Sequence, residues 1–171
     1  MTTNRLQLLP LSPADAPFIR ELVNSPAWLQ YIGDRNVRTD ADALRYLEER
    51  IFPDYEVGPI MNWKVCLLTD GTPIGNCGFY RRGFTDFPDL GFAFLPAYTK
   101  QGYGYEAASA CLRFARQQLN VEKICAITTE DNIASIALLK KLGFVQNGTV
   151  FWPDDPEELL LFELKLFETS K

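Results

Sequence analysis

Apolar and polar residues alternate with a period of two over residues 5–11, which predicts a first strand. Ser12-Pro13-Ala14-Asp15 then carries a helix-start signature, with Ser12 as the cap, Pro13 in the first turn and Asp15 as the carboxylate reaching back. Phe18, Ile19, Leu22 and Val23 form that helix's apolar stripe. A second helix is expected from Thr39, with Asp42 three residues on and Leu44, Leu47 and Ile51 at helical spacing; Pro53 is expected to end it. Residues 62–69 and 74–82 read as a hairpin around Asp70-Gly71-Thr72-Pro73, and residues 81–88 as an aromatic-rich loop. Residues 90–95 are a nearly unbroken apolar run, as in a strand buried on both faces. A long helix follows residues 96–104, with Ala108, Leu112, Ala115 and Leu119 on its buried face.

Residues 121–129 read as another buried strand and residues 132–142 as a short helix closed by Lys140, Lys141 and Gly143. Residues 144–151 and 159–167 finish the sheet, the latter placing Leu160, Phe162, Leu164 and Leu166 on one face. The strand–helix–strand order over 90–129 makes these two strands parallel neighbours joined by a right-handed crossover. The order β-α-α-β-β-β-α-β-α-β-β predicts an α/β domain with a mixed sheet flanked by helices. At 171 residues, the chain is expected to form one domain spanning 1–171.

Composition narrows the chemistry. The chain is 47% hydrophobic and 23% charged, an ordinary globular balance. It has no histidine, which removes Ser-His-Asp and Cys-His catalysis and most zinc and non-haem iron sites, so no metal is expected. The net charge of −5 comes without a Lys/Arg cluster, so no nucleic-acid partner is expected, and an acidic surface favours a cationic acceptor such as an amine. Cys66, Cys77, Cys111 and Cys125 sit in apolar stretches without a CxxC pair and read as buried free thiols in a reducing compartment. No apolar run is long enough for a signal peptide or membrane span, so a cytoplasmic location and no membrane partner are expected.

The segment Pro96-Ala97-Tyr98-Thr99-Lys100-Gln101-Gly102-Tyr103-Gly104-Tyr105-Glu106-Ala107 leaves a buried strand, turns on two glycines and opens the long helix. The first amides of such a helix have no intrahelical partner and its dipole is positive there, which suits an anion; a purely structural turn satisfies the same pattern. It is not a Walker loop, since no Gly-Lys-Ser/Thr follows, and not a dinucleotide fingerprint, since Ala107 stands where the third glycine belongs. Asn132-Ile133-Ala134-Ser135 opens the short helix beyond the neighbouring strand. There Asn132 serves either as an N-cap or as a functional group at the strand ends where ligands of open sheets gather.

Five stretches together resemble the GCN5-related N-acetyltransferases of the RimJ/RimL type. They are Arg5-Leu6-Gln7-Leu8-Leu9-Pro10-Leu11 with Asp15-Ala16; Tyr31-Ile32-Gly33-Asp34-Arg35 through Val37-Arg38-Thr39; Ile74-Gly75-Asn76-Cys77-Gly78-Phe79; Asp89-Leu90-Gly91-Phe92 to Glu106-Ala107; and Asn132-Ile133-Ala134-Ser135 with Lys141-Leu142-Gly143-Phe144. The resemblance implies a centrally splayed sheet and acetyl-CoA as donor, its pyrophosphate on Lys100, Gln101, Gly102 and Gly104. The pantetheine arm would pair with the backbone around Phe92, Phe94 and Leu95, with Tyr103 and Tyr105 flanking it and Asn132 contacting it. Thr99 departs from the family's usual Gln or Arg at the loop start, and Leu139 stands where many relatives carry a Tyr that protonates the leaving thiolate. The resemblance passes that role to Ser135.

Transfer to an amine needs a polarised thioester carbonyl, for which an amide near Phe94 would serve. It also needs a proton acceptor, for which Asp89 is the first candidate and Glu106 the second. In this family the region holding Trp28, Tyr31 and Arg35 forms one wall of the acceptor cleft; Phe84 and Phe87 are candidates for another, and Trp63 is assigned to the core. The acceptor is expected to be a peptide N-terminus or a small-molecule amine, and the chain a monomer or homodimer. A non-catalytic acyl-CoA-binding regulatory domain is the alternative.

Overall fold

The computed structural model describes residues 1–58, 61–83, 85–151 and 156–167. Strand β1 (Leu6–Pro10) leads through a 3-10 turn (Pro13–Asp15) into α1 (Ala16–Val23), then α2 (Pro26–Tyr31), α3 (Asp40–Arg50) and α4 (Phe52–Val57). Strands β2 (Asn62–Leu67), β3 (Pro73–Tyr80) and β4 (Asp89–Phe94) follow, then a 3-10 turn (Pro96–Tyr98) and α5 (Tyr103–Gln118). β5 (Lys123–Thr128), α6 (Ile133–Lys141), β6 (Val145–Phe151) and β7 (Glu158–Lys165) complete the chain. The seven-stranded sheet has the order β1-β2-β3-β4-β5-β7-β6. All neighbours are antiparallel except β4 and β5, which run parallel as their crossover requires.

The helix starts follow their sequence signals. The Asp15 carboxylate accepts from the Ser12 amide at 2.8 Å, and the Thr39 hydroxyl accepts from the Asp42 amide at 3.1 Å while Asp42 reaches back to the Thr39 amide. Pro53 does not end a helix. α3 stops at Arg50, and Pro53 stands in the first turn of α4, where its missing N–H costs nothing. α2 carries the same Ser-Pro start at Ser25-Pro26, but at six residues with one buried side chain it has no periodic stripe to read.

Strand alternation divides the core in two. Leu6, Leu8, Trp63, Val65, Phe79, Leu90, Ile124 and Phe162 point to one face and pack on the Ala108, Leu112, Ala115 and Leu119 stripe of α5, as expected. On the other face α1, α2 and α3 pack Phe18, Ile19, Leu22, Trp28 and Leu47 with Leu11 and Leu95. All four cysteines are buried free thiols.

β4 departs from expectation. Asp89 and Leu90 are buried, whereas positions 91–94 are only partly so. The cause is the sheet's central defect: β4 and β5 pair only at Asp89↔Cys125, with the Cys125 amide on the Pro88 carbonyl at 2.9 Å. Past that point the two strands diverge toward their C-terminal ends.

Candidate active site

The V between β4 and β5 opens toward α5 and α6. Backbone groups alternate along a strand, so with the Leu95 amide on the Ile74 carbonyl (2.9 Å), those of Phe92 and Phe94 point away from β3 into the V. Leu95 is itself unavailable: its carbonyl accepts from the Tyr98 amide at 2.9 Å, and its side chain lies in the α1-side core. Phe92 and Phe94 thus present both backbone groups to the V, whereas those of Leu95 already bond within the chain. The Phe94 ring approaches Gly104 so closely that a Cβ there would lie 3.5 Å from it and 3.2 Å from Leu138 of α6. Gly104 is thus where the β4 end, the start of α5 and α6 meet.

The loop ahead of α5 turns on two left-handed residues, Lys100 (φ 59°) and Gly102 (φ 82°). Gly102 is the N-cap and supplies no side chain; its carbonyl takes the first helical bond, from the Glu106 amide at 3.1 Å. No backbone amide from Lys100 to Tyr105 finds an acceptor among the described residues. Six successive N–H groups at the positive end of a 16-residue helix make a site shaped for an anion. The Gln101 side chain turns back to the Ala97 carbonyl (2.7 Å), leaving its own amide for a ligand. Tyr103 is half-buried beneath the Arg5 guanidinium (4.4 Å), and Tyr105 is exposed beneath the Lys141 ammonium (4.5 Å).

Across the V, Asn132 caps α6: its Oδ1 accepts from the Ser135 amide at 3.1 Å, leaving its NH₂ group. Ser135 is half-buried, and its hydroxyl has no hydrogen-bond partner among the described residues. Leu139, one turn on, lies in the α5-side core at 1% exposure.

Asp89 stands at the vertex, 2% exposed. One carboxylate oxygen accepts from Arg82 Nε at 3.0 Å, the other, Oδ1, has no hydrogen bond of ordinary geometry, and the Ile127 amide of β5 lies close enough to favour the ionised form. Burial pushes this carboxyl up from the ordinary range, against the opposing charge and hydrogen bond of Arg82. Arg82 in turn covers the Tyr80 ring (4.6 Å), whose hydroxyl accepts from the Asn62 and Asn76 amides. Glu106, the second candidate base, is fully engaged elsewhere. It accepts from the Thr3 hydroxyl (2.6 Å), the Arg5 amide (2.9 Å) and Arg5 Nε (2.7 Å). Although burial opposes ionisation, these bonds hold its carboxyl below the usual range, which suits a fixed anion and not a proton acceptor.

The acceptor-side candidates differ in exposure. Trp28 is a core residue at 5% exposure with its indole N–H unpartnered, because α2 presents that side chain inward. Tyr31 is half-buried and Arg35 exposed on the α2–α3 connection. Phe87 lies beneath Lys123 (4.5 Å) at the start of β5, at the closed end of the V, while Phe84 lies outside the described residues. Thr3 and Arg82 carried no sequence signal, and Arg5 entered only as the first residue of a stretch resembling the family, with no role assigned.

No group of metal-binding side chains occurs among the described residues, and no described helix is long and apolar enough to cross a membrane. The chain is similar to the uncharacterized N-acetyltransferase YnaD of Bacillus subtilis (strain 168), 27% identical over 119 residues, 64% of this chain and 70% of the relative. Its fold matches the RimL ribosomal L7/L12 alpha-N-protein acetyltransferase in complex with coenzyme A at a TM-score of 0.79 and 14% identity, over 96% of each chain. It also matches the spermidine N-acetyltransferase from Vibrio cholerae in complex with CoA and spermine at 0.78 and 15%, over 96% of this chain and 97% of that one. The family model described as an acetyltransferase (GNAT) domain matches residues 5–145. A splayed parallel strand pair beside a helix start rich in free amides is thus found on a chain that belongs to the GNAT acetyltransferase family, and the protein is an N-acetyltransferase.

Proposed function

We propose that the protein moves the acetyl group of acetyl-CoA directly to a primary amine, either a peptide N-terminus or a small polyamine-like molecule. The observation that carries the donor is the run of six unpartnered amides at residues 100–105 beside the open edge of β4. Their geometry suits a pyrophosphate, and the free backbone groups of Phe92 and Phe94 suit the amide-rich arm attached to it. Relatives in fold that act on a ribosomal protein and on spermidine support the two acceptor classes. The net charge of −5 favours a cationic one.

Acetyl-CoA supplies an activated acetyl group: the C–N bond to the amine forms as the C–S bond breaks. The Phe94 amide holds the carbonyl oxygen as negative charge develops on it. The Ser135 hydroxyl, free of other partners, donates to the departing sulfur. Asn132 fixes that hydroxyl by capping the first turn of α6. Asp89, buried at the vertex of the V, is assigned as the final proton acceptor and would receive the amine's proton through a chain of waters. Of the acceptor-side candidates, Tyr31 and Arg35 are the ones on the α2–α3 side that a substrate could reach. Four buried free thiols suit a reducing compartment, so we place the activity in the cytoplasm.

Ser135→Ala tests the assignment. Turnover is expected to fall about 10- to 100-fold, with affinity for CoA unchanged. Unchanged turnover would remove Ser135 from the mechanism.

A further inference from the structure

The start of β1 is tied to the anion-binding loop by contacts that strand formation does not require. Arg5 reaches across with its whole side chain. Nε pairs with Glu106, Nη1 donates to the Gln101 carbonyl at 3.1 Å, and the guanidinium lies on the Tyr103 ring. Its Nη2 lies 3.4 Å from where a side chain on Gly102 would begin. Its own amide and the Thr3 hydroxyl add two more bonds to the same carboxylate.

These contacts matter because of where Glu106 sits. A carboxylate in the first turn of a helix is favourable to that helix. Beside a site for a phosphate-bearing ligand it is unfavourable, since like charges repel across a few ångströms. The Gln101 carbonyl presents the same difficulty, being an acceptor within a run of donors. Arg5 answers both: it compensates the carboxylate and engages the carbonyl, leaving the amides of residues 100–105 as the groups an anion meets.

We propose that Arg5, with Thr3, is a positioning residue for donor binding: it neutralises Glu106 and sets the loop so that the phosphate-bearing end of the donor is accepted. The inference rests on the donor reading given above, and it gives Arg5 no direct contact with the ligand.

The test compares wild type, Arg5→Met, Glu106→Gln and the double variant. Calorimetry measures affinity for CoA, and steady-state kinetics are run with acetyl-CoA and with phosphate-free S-acetylpantetheine. Arg5→Met should weaken CoA binding and raise the KM for acetyl-CoA by about 10-fold or more, with kcat within about 2-fold. The kcat/KM for S-acetylpantetheine should barely move, because that donor carries no phosphate. Adding Glu106→Gln to Arg5→Met should restore most of the lost CoA affinity, since the uncompensated carboxylate is then gone. Equal losses with both donors would reduce Arg5 to a structural part and overturn the proposal. Loss confined to acetyl-CoA but not restored by Glu106→Gln would also overturn it, in favour of direct phosphate contact. Failure of the wild type to bind CoA would instead overturn the donor reading beneath it.

Discussion

Gly91 lies in the middle of β4, on the face covered by α1 to α4, directly beneath the Tyr80 ring. A methyl group there would meet Tyr80 Cε2 at 2.6 Å and Cδ2 at 3.1 Å, well inside the ~3.5–4.0 Å of ordinary carbon contact. The ring cannot easily swing clear. Its hydroxyl is tethered by the Asn62 and Asn76 amides, and Arg82 lies on it at 4.6 Å. Glycine to alanine in a strand is ordinarily worth about 0.5–1 kcal/mol of added stability, so the sign here is diagnostic. Overpacking costs about 1–3 kcal/mol, and a tethered ring places Gly91→Ala in the upper part of that range, about 2–3 kcal/mol. For a domain of this size that corresponds to a fall in Tm of about 4–12 °C. Thermal unfolding followed by circular dichroism reads the loss. A second background, Tyr80→Leu, removes the ring, and there the cost of Gly91→Ala should shrink below about 1 kcal/mol. Gly91→Ala within about 0.5 kcal/mol of wild type, or an equal cost in both backgrounds, would refute the reasoning.

Three other sites give measurable outcomes. Asp15 is held below the ordinary carboxylate range despite its burial by Lys64 and by the Ser12 amide and hydroxyl. Its stabilisation is therefore complete above its unfolded pKa of about 3.9 and is lost as pH falls through the lower folded value; Asp15→Asn should flatten that part of the acid unfolding curve, measured by denaturant melts at several pH values. Leu139→Ala should cost about 2–5 kcal/mol in a urea melt, since the side chain is 1% exposed in the α5-side core; a loss under 1 kcal/mol would remove it from the core. Gly102→Ala, at φ 82°, should destabilise the loop by about 1–2 kcal/mol and raise the KM for acetyl-CoA more than it lowers kcat; an unchanged KM would detach this loop from the donor.

Periodicity made most of the fold legible. The Ala108, Leu112, Ala115 and Leu119 stripe, the β2–β3 hairpin around Gly71 and the alternation of β7 each belong to elements long enough to repeat a pattern. α2 and α4 escaped because six residues make less than two turns, and in α4 the proline that opens the helix looked like the end of the one before. The apolar run of β4 is compatible with burial on both faces. The family resemblance implied that β5 leaves it, and the single register pair Asp89↔Cys125 shows where. The anion loop was legible because glycines punctuate the chain just ahead of an amphipathic helix. The ion pairs around the site were not. The Arg5–Glu106 and Arg82–Asp89 pairs depend on strand placement and on a loop's return, and Leu95 looked available until its amide and carbonyl were found to be taken.

Direct acetyl transfer from acetyl-CoA to an amine is the reaction proposed for this protein. The most direct measurement is mass spectrometry of products after incubating the purified chain with acetyl-CoA and a panel of peptides with free N-termini, polyamines, amino acids and aminoglycosides. Mass detection identifies the acetylated acceptor directly. The expected product is an acceptor carrying one added acetyl group on its amine, formed by wild type and strongly reduced by Ser135→Ala. Binding of acetyl-CoA with no acetylated product anywhere in the panel would contradict it.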